Sequence, residues 1–186
     1  MNMRLRSVFG LAGLLLVAGP LAAQEVQFGL QGTVALPTGD LGDRTYLDQA
    51  LGYGFGAHAA LGFANGHAVV PRLDYTHFVK SSPTRKVQML QLGADHTWFP
   101  SGKVNQGAYL GAGLGFGLAK FEVDLPGAGA DDTPNTAYGA VSAGYMFTPH
   151  MGAELRYTHA KYKPERFGAK PEVTSPAVHA SFVYRF

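Results

Sequence analysis

The chain contains no cysteine among its 186 residues. Disulfide bonds, thiolate metal sites and a lipid-modified N-terminal cysteine are therefore excluded. The chain also has no excess of one charge once residues 1–23 are set aside. That segment holds two of the 15 basic residues and none of the 13 acidic ones, which leaves 13 of each sign. A net charge of zero gives no support to a nucleic-acid-binding protein.

Long hydrophobic runs are absent after residue 23. The most apolar stretch runs from 110 to 118, and glycine occupies every second position in it. A membrane helix needs about 20 apolar residues, so this stretch is too short as well as too rich in glycine. If the protein enters a membrane, it must do so as a closed barrel, because lipid cannot satisfy the open edges of a sheet.

Residues 1–23 have the pattern of a secretory signal peptide. Arg4 and Arg6 precede an apolar run over 8–19, and Pro20 and Leu21-Ala22-Ala23 then offer a cleavage site before Gln24. An uncleaved membrane anchor is the alternative, which the short apolar run disfavours. We therefore expect a signal peptide over 1–23 and one domain over 24–186.

Alternation of side chains with a period of two is the dominant signal in the rest of the chain. In the last segment apolar or aromatic side chains occupy 178, 180, 182, 184 and 186, and His179, Ser181 and Arg185 lie between them. The alternation predicts eight strands, at about 25–36, 51–63, 68–79, 86–98, 107–121, 135–147, 151–160 and 178–186. The predicted fold is all-β: an eight-stranded antiparallel up-and-down transmembrane β-barrel.

The lengths of the connections indicate which end of the predicted barrel faces outside the cell. The segments 37–50, 122–134 and 161–174 are long and polar, 80–85 is intermediate, and those at 65–66, 100–105 and 148–150 are short. Outer-membrane barrels have long loops outside and tight turns in the periplasm. Aromatic residues at predicted strand ends then form two girdles. They are Phe63, Trp98, Phe147 and Phe186 at the periplasmic end, and Tyr53, Tyr75 and Tyr157 at the other.

The third and seventh predicted strands carry similar sequences with inward charges of opposite sign. One reads Arg72-Leu73-Asp74-Tyr75-Thr76-His77 and the other Glu154-Leu155-Arg156-Tyr157-Thr158-His159. In an eight-stranded barrel these strands face each other across a lumen filled by side chains. We expect Arg72 to pair with Glu154, and Asp74 with Arg156, because buried charges need partners. Asp95 with Arg185 is a third candidate pair. This polar network is either a structural plug, the simpler interpretation, or a charged gate.

Inward glycines on the second and fifth strands are expected to make room for Arg72, Arg156, Tyr109 and Tyr138. The glycines from 111 to 117 lack the spacing and the strand–turn–helix context of a dinucleotide-binding loop. The seven histidines show no metal-ligand spacing. We therefore assign no catalytic, cofactor-binding or metal-binding residue.

Two alternatives remain open. His179 and Ser181 face inward beside the strand of Glu154. A serine, a histidine and a carboxylate are the residue types that a lipid A hydrolase would need for catalysis. A soluble lipocalin-like barrel is the second alternative, and it requires apolar side chains inside and polar ones outside.

The predicted strands, the segment Gly152-Ala153-Glu154-Leu155-Arg156-Tyr157 and the end Tyr184-Arg185-Phe186 resemble the outer membrane protein beta-barrel domain family, which includes OmpA-type and OmpX-type barrels. The resemblance implies a non-enzymatic, monomeric barrel in the cell outer membrane, exported through the periplasm and without a cofactor. Its role would be structural or surface interaction, with at most slow passage of small solutes. It further implies that Tyr184 and Phe186 form an assembly signal for the barrel-assembly machinery. Outer-membrane lipid and lipopolysaccharide would surround the barrel.

Overall fold

The computed structural model describes residues 25–44, 47–80, 85–125, 128–163 and 172–186. The predicted signal peptide lies outside these residues. The strands are β1 (Glu25–Pro37), β2 (Gln49–Gly62), β3 (His67–Lys80), β4 (Arg85–Trp98), β5 (Gly107–Leu125), β6 (Ala128–Asp132), β7 (Asn135–Met146), β8 (Met151–Tyr162), β9 (Val173–Thr174) and β10 (Ala177–Arg185). Two 3-10 turns, Gly39–Leu41 and Ala64–Gly66, lie in connections. No helix in the described ranges is long and apolar enough to cross a membrane.

Eight long strands close into one barrel. β1 to β5, β7, β8 and β10 each pair antiparallel with the next, and β10 returns to pair with β1. β6 extends the hairpin at the end of β5, and β9 pairs with the end of β8. The predicted barrel of eight antiparallel strands is confirmed, with strand bounds within a few residues of those expected.

The barrel wall has its apolar side chains outside. Leu155 is 61% exposed and Phe182 54%, whereas Glu154 and Arg156, the chain neighbours of Leu155, are buried. Burial alternates at every residue of β8 and β10. A lipocalin-like barrel has the opposite arrangement, so the lipocalin alternative does not fit this structure.

Aromatic residues lie at the end of the barrel with the tight turns, here called the short-turn end. Trp98 is 43% exposed, and Phe147 and Phe186 are each 63% exposed. All three side chains are on the outer wall, where a girdle would meet lipid headgroups. The opposite end, where β6 and β9 lie and where β1, β3, β5 and β8 end, is here called the long-loop end.

The structure differs from the sequence prediction in two places, and a proline interrupts one ladder. Much of the predicted loop 122–134 is a hairpin, formed by the end of β5 and by β6. A strand that projects beyond lipid needs no apolar face, so alternation does not mark it. At the short-turn end of β2 all residues from His58 to Gly62 are buried, which alternation did not indicate. Finally, the ladder between β2 and β3 is interrupted at Pro71, because proline has no N–H to donate, yet its register is the same on both sides.

Candidate functional site: the barrel lumen

Charged side chains lie in the lumen from its middle toward the short-turn end and form what we call the charged layer. Its members are Arg72, Asp74, Asp95, Glu154, Arg156 and Arg185. They come from β3, β4, β8 and β10, which the closed sheet turns inward at these positions. Three guanidinium groups and three carboxylates make the layer electrically neutral.

Arg72 is the centre of the charged layer. Its Nε donates to Asp74 Oδ2 at 2.8 Å, and its Nη1 donates to Asp95 Oδ2 at 3.0 Å and to Glu154 Oε1 at 3.1 Å. The structure therefore brings Arg72 and Glu154 together across the lumen, as the paired sequences of their strands indicate. Glu154 Oε2 also accepts a hydrogen bond of 2.9 Å from the Tyr109 hydroxyl. Both oxygens of this buried carboxylate thus have a partner.

The expected pair of Asp74 with Arg156 is wrong. Arg156 binds Asp95 with two nitrogens, one of them Nη2 at 3.0 Å from Oδ1. Asp74 instead accepts from Arg72 and, at 2.8 Å, from Gln31 Nε2 on β1. Strand tilt and stagger move facing residues to different heights in a barrel, so equal positions in two similar sequences do not meet.

The expected pair of Asp95 with Arg185 is also wrong. Arg185 donates from Nε to His58 Nε2 at 3.3 Å and from Nη1 to Asn105 Oδ1. Asn105 Nδ2 in turn donates to Glu25 Oε1 at 3.3 Å. Asn105 reaches the lumen from the turn between β4 and β5, where its φ is 66°. Asparagine is a residue that adopts this left-handed conformation in turns, but no sequence pattern showed that its side chain would point inward.

Inward glycines provide the space for large lumen side chains. A Cβ at Gly144 would collide with the Tyr109 ring, and one at Gly93 would collide with the Tyr138 hydroxyl. A Cβ at Gly113 would collide with the carboxylate of Asp95. The glycines are thus complementary in shape to tyrosines and to a member of the charged layer. The sequence indicated this role for β2 and β5 but did not identify which side chain each glycine faces.

An apolar layer, here called the upper layer, fills the lumen at the long-loop end. It consists of Ala35, Leu41, Phe78, Val87, Met89, Ala119, Phe121, Tyr138, Ala140, Ala160, Tyr162 and Val173. Leu41 enters from the 3-10 turn after β1 and is fully buried. Thr38 N donates to Pro176 O at 2.9 Å, and Thr174 N donates to Asp40 Oδ2 at 2.8 Å. These two hydrogen bonds connect the loop that follows β1 to the residues around β9. Both segments lie over the upper layer.

A second apolar layer, here called the lower layer, closes the short-turn end. Phe99, Tyr109 and Met146 pack together with Val104 against them, and the Phe99 and Tyr109 ring centroids are 5.0 Å apart. Val104 also packs on a small cluster of Ala60, Ala68 and Val70. Phe99 and Val104 belong to the turn between β4 and β5. The charged layer is therefore enclosed between two apolar layers.

The side chains of the hydrolase alternative are each hydrogen-bonded to partners other than one another. His179 Nε2 lies 3.0 Å from Thr158 Oγ1, and Ser181 Oγ lies 2.8 Å from Thr33 Oγ1. Glu154 is engaged by Arg72 and Tyr109. A cavity of about 10 Å³ beside this region has room for about one water molecule and none for an acyl chain. In the part of the chain that the structure describes, no group of three or more His, Asp or Glu side chains has an arrangement that could hold a metal ion.

Comparisons with known proteins agree with this architecture. Ail, the attachment invasion locus protein of Yersinia pestis, is 14% identical, with a TM-score of 0.61 over 87% of this chain and 97% of that one. The N-terminal β-barrel domain of Pseudomonas aeruginosa OprF is 12% identical, with a TM-score of 0.59 over 87% of this chain and all of that one. Neisserial surface protein A is 18% identical, with a TM-score of 0.56 over 87% and 97%. At these identities the likeness concerns the fold alone.

The sequence comparisons define the family. A search of curated protein sequences found no match. The profile of the outer membrane protein beta-barrel domain matches residues 9–186, which is nearly the whole chain. Together with the closed barrel and its outward apolar wall, this match shows that the chain belongs to the outer membrane protein beta-barrel domain family.

Proposed function

We propose that this protein is a non-enzymatic outer-membrane barrel whose lumen is a structural plug. The observation that carries the proposal is the neutral charged layer enclosed between two apolar layers. An ion in transit would have to cross Phe99 and Tyr109 at one end and Phe78, Phe121 and Tyr162 at the other. Apolar constrictions exclude ions because they offer no replacement for hydration. Solute passage would be slow at most.

The contacts of the charged layer favour a plug over a gate. Arg72 has three carboxylate partners, and Asp95 is shared between two arginines. Movement of Arg72 would leave Asp74 and Glu154 without a charged partner, and movement of Asp95 would leave Arg156 without one, which is strongly unfavourable. A gate needs a second arrangement of similar energy, which these shared ion pairs disfavour.

Conductance in planar lipid bilayers tests this proposal. We expect no steady channel current from the wild-type protein and none from Arg72→Ala, because both apolar layers remain. Phe99→Ala is the contrasting variant, since it removes an aromatic ring of the lower layer. A shift in mobility between boiled and unboiled samples would show that each variant is folded. A steady wild-type current that changes with Arg72→Ala would establish the gate instead.

Contact with the surroundings would then depend on the wall and the long loops. The candidate contact surface comprises 37–50, 80–86, 122–134 and 161–174. The structures of similar fold include Ail, whose name refers to attachment and which has also been solved with the heparin analogue sucrose octasulfate. The support for a surface role here is the shared architecture. Binding of whole cells to immobilised heparin, with and without the protein, would test for such contact.

The biogenesis expected from the sequence belongs to the same proposal. Residues 1–23 would direct export and be removed, and Tyr184 and Phe186 would be read by the barrel-assembly machinery. Both aromatic side chains are exposed on the outer wall, with ring centroids 6.5 Å apart, where an assembly factor could reach them. The folded protein would be a monomer surrounded by outer-membrane lipid and lipopolysaccharide.

A further inference from the structure

Two histidines that lie 29 positions apart in the sequence meet on the outer wall at the short-turn end. His67 is the first residue of β3, and His96 lies two residues before the end of β4. His67 Nδ1 and His96 Nε2 are 3.1 Å apart, and the ring centroids are 5.1 Å apart with 19° between the ring planes. We call these two residues the histidine pair. No sequence spacing reveals it, because the register of two strands brings the residues together.

The backbone fixes the separation of the histidine pair. In the ladder between β3 and β4, His67 is the register partner of Trp98, which lies two residues from His96. The His67 carbonyl oxygen also accepts a hydrogen bond of 2.7 Å from Phe63 N across the turn before β3. Side chains carried by paired strands are positioned more precisely than side chains on loops. The two imidazoles are therefore held together before any ligand arrives.

The histidine pair is accessible from outside the barrel. His96 is exposed and His67 is half-buried, and the neighbouring Trp98 is 43% exposed. Trp98 belongs to the aromatic residues at the short-turn end, which mark the level of the lipid headgroups, where water is present. In outer-membrane barrels the tight turns lie on the periplasmic side. An ion dissolved in the periplasm would therefore reach the pair without crossing the lumen.

The separation of the two facing nitrogens suits chelation of a metal ion. An imidazole nitrogen binds a metal such as Zn²⁺ at about 2.0–2.1 Å. Two such nitrogens are about 2.9 Å apart when the angle at the metal is 90°, and about 3.3 Å apart when the angle is tetrahedral. The observed 3.1 Å lies between these values. Each neutral ring can bind through its facing nitrogen and keep its N–H on the other one.

The ligand type indicates the class of metal ion. Imidazole suits Cu²⁺, Ni²⁺ and Zn²⁺, whereas Ca²⁺ and Mg²⁺ prefer oxygen ligands. Among the described residues no third His, Asp or Glu completes a group that could hold a metal ion, so water would supply the remaining ligands. For a given set of ligands Cu²⁺ binds more tightly than Ni²⁺ or Zn²⁺. Cu²⁺ is therefore the most sensitive probe.

We propose that the histidine pair is a chelating site for a divalent transition-metal ion, with His67 Nδ1 and His96 Nε2 as its protein ligands. The bound ion connects the beginning of β3 to the end of β4. Its binding is reversible, because structural metal sites have four protein ligands and this site has two. The proposal concerns the outer wall and is independent of whether the lumen conducts.

Trp98 offers a direct measurement, because it is the single tryptophan of the chain and the register partner of His67. Bound Cu²⁺ quenches the fluorescence of a nearby tryptophan. The full chain, purified in detergent without a histidine tag, would be titrated with Cu²⁺. We expect saturable quenching with one ion per chain and coupling to two nitrogens in the electron paramagnetic resonance spectrum. Excess Zn²⁺, which does not quench, should displace Cu²⁺ and restore the fluorescence.

Substitutions distinguish a chelate from separate histidines. His67→Gln and His96→Gln are each expected to raise the Kd for Cu²⁺ by about tenfold or more, because linked ligands bind far more tightly than single ones. The double variant should bind about as weakly as either single variant. His159→Gln is the matched control, since His159 is an exposed, outward histidine on β8. It should leave the Kd unchanged. The boiled and unboiled mobility of each variant confirms its fold before the titration.

Three results would overturn the proposal. The absence of both saturable quenching and nitrogen coupling in the wild-type protein would show that the pair binds no Cu²⁺. An unchanged Kd in both single variants would place the ion elsewhere on the chain. Two ions per wild-type chain, with one lost in each single variant and no change in Kd, would show that the histidines bind independently and form no chelate.

Discussion

The middle of the lumen is filled by charged side chains, whereas its two ends are filled by apolar ones. In the middle, ionised groups such as Arg72 and Asp95 are buried and satisfy one another. At the ends, Phe99 and Phe121 pack as they would in the core of a water-soluble protein. Across its wall the barrel is the reverse of a water-soluble protein, with apolar side chains outside and charged ones inside. Along its axis, apolar and charged layers alternate. Stability should depend on pairing in the middle and on packing at the ends.

The largest effect is expected in the charged layer. Asp95→Ala removes the carboxylate shared by Arg72 and Arg156 and leaves buried positive charge in excess. We expect the free energy of unfolding to fall by about 3–5 kcal/mol, as when one partner of a buried ion pair is removed. Glu172→Ala, which breaks an exposed pair, should cost at most about 1 kcal/mol. Urea unfolding in lipid vesicles measures both, and equal losses would contradict the importance of the charged layer.

The next effect is expected in the upper layer. Leu41→Ala removes a fully buried side chain that the first loop inserts into the lumen. The cavity left behind should lower the free energy of unfolding by about 2–4 kcal/mol. Leu36→Ala is the matched control, because Leu36 is 54% exposed on the outer wall and leaves no cavity. If both variants unfold at the same urea concentration, the first loop does not contribute packing to this end.

The smallest effect compares two glycines of the same strand. Gly144→Ala adds a methyl group that collides with Tyr109, whose ring is fixed by Phe99 and Glu154. Overpacking of this kind costs about 1–3 kcal/mol. Gly139→Ala adds the same group to the open outer wall, where Leu114 lies at a normal contact distance, and it should be neutral or slightly stabilising. Thermal unfolding followed by circular dichroism distinguishes the two, and identical melting temperatures would contradict the close fit at Tyr109.

The six charged residues of the lumen could be identified from the sequence because each occupies an inward position on an alternating strand. Their partners could not be identified reliably. Arg72 meets Glu154 as expected, but Arg156 reaches Asp95 and Arg185 reaches His58 and Asn105. A long, flexible guanidinium side chain can reach several heights in the lumen. Which carboxylate it meets depends on the stagger of the whole barrel, which no single strand encodes.

The two apolar layers could not be predicted for a different reason. Leu41 and Val104 lie in connections, where periodicity gives no inward or outward assignment. Phe78, Phe121 and Tyr162 occupy inward positions of the alternating strands, but the alternation does not show that they pack together with Leu41 into one layer.

The sequence by itself determined the number of barrel strands, the face that each presents to lipid and the strand side chains that enter the lumen, because a period of two is a local property of an extended chain. Only the tertiary structure decided which charges pair and which connections close the ends. Those features depend on closure, tilt and stagger, which set distances between residues far apart in the chain.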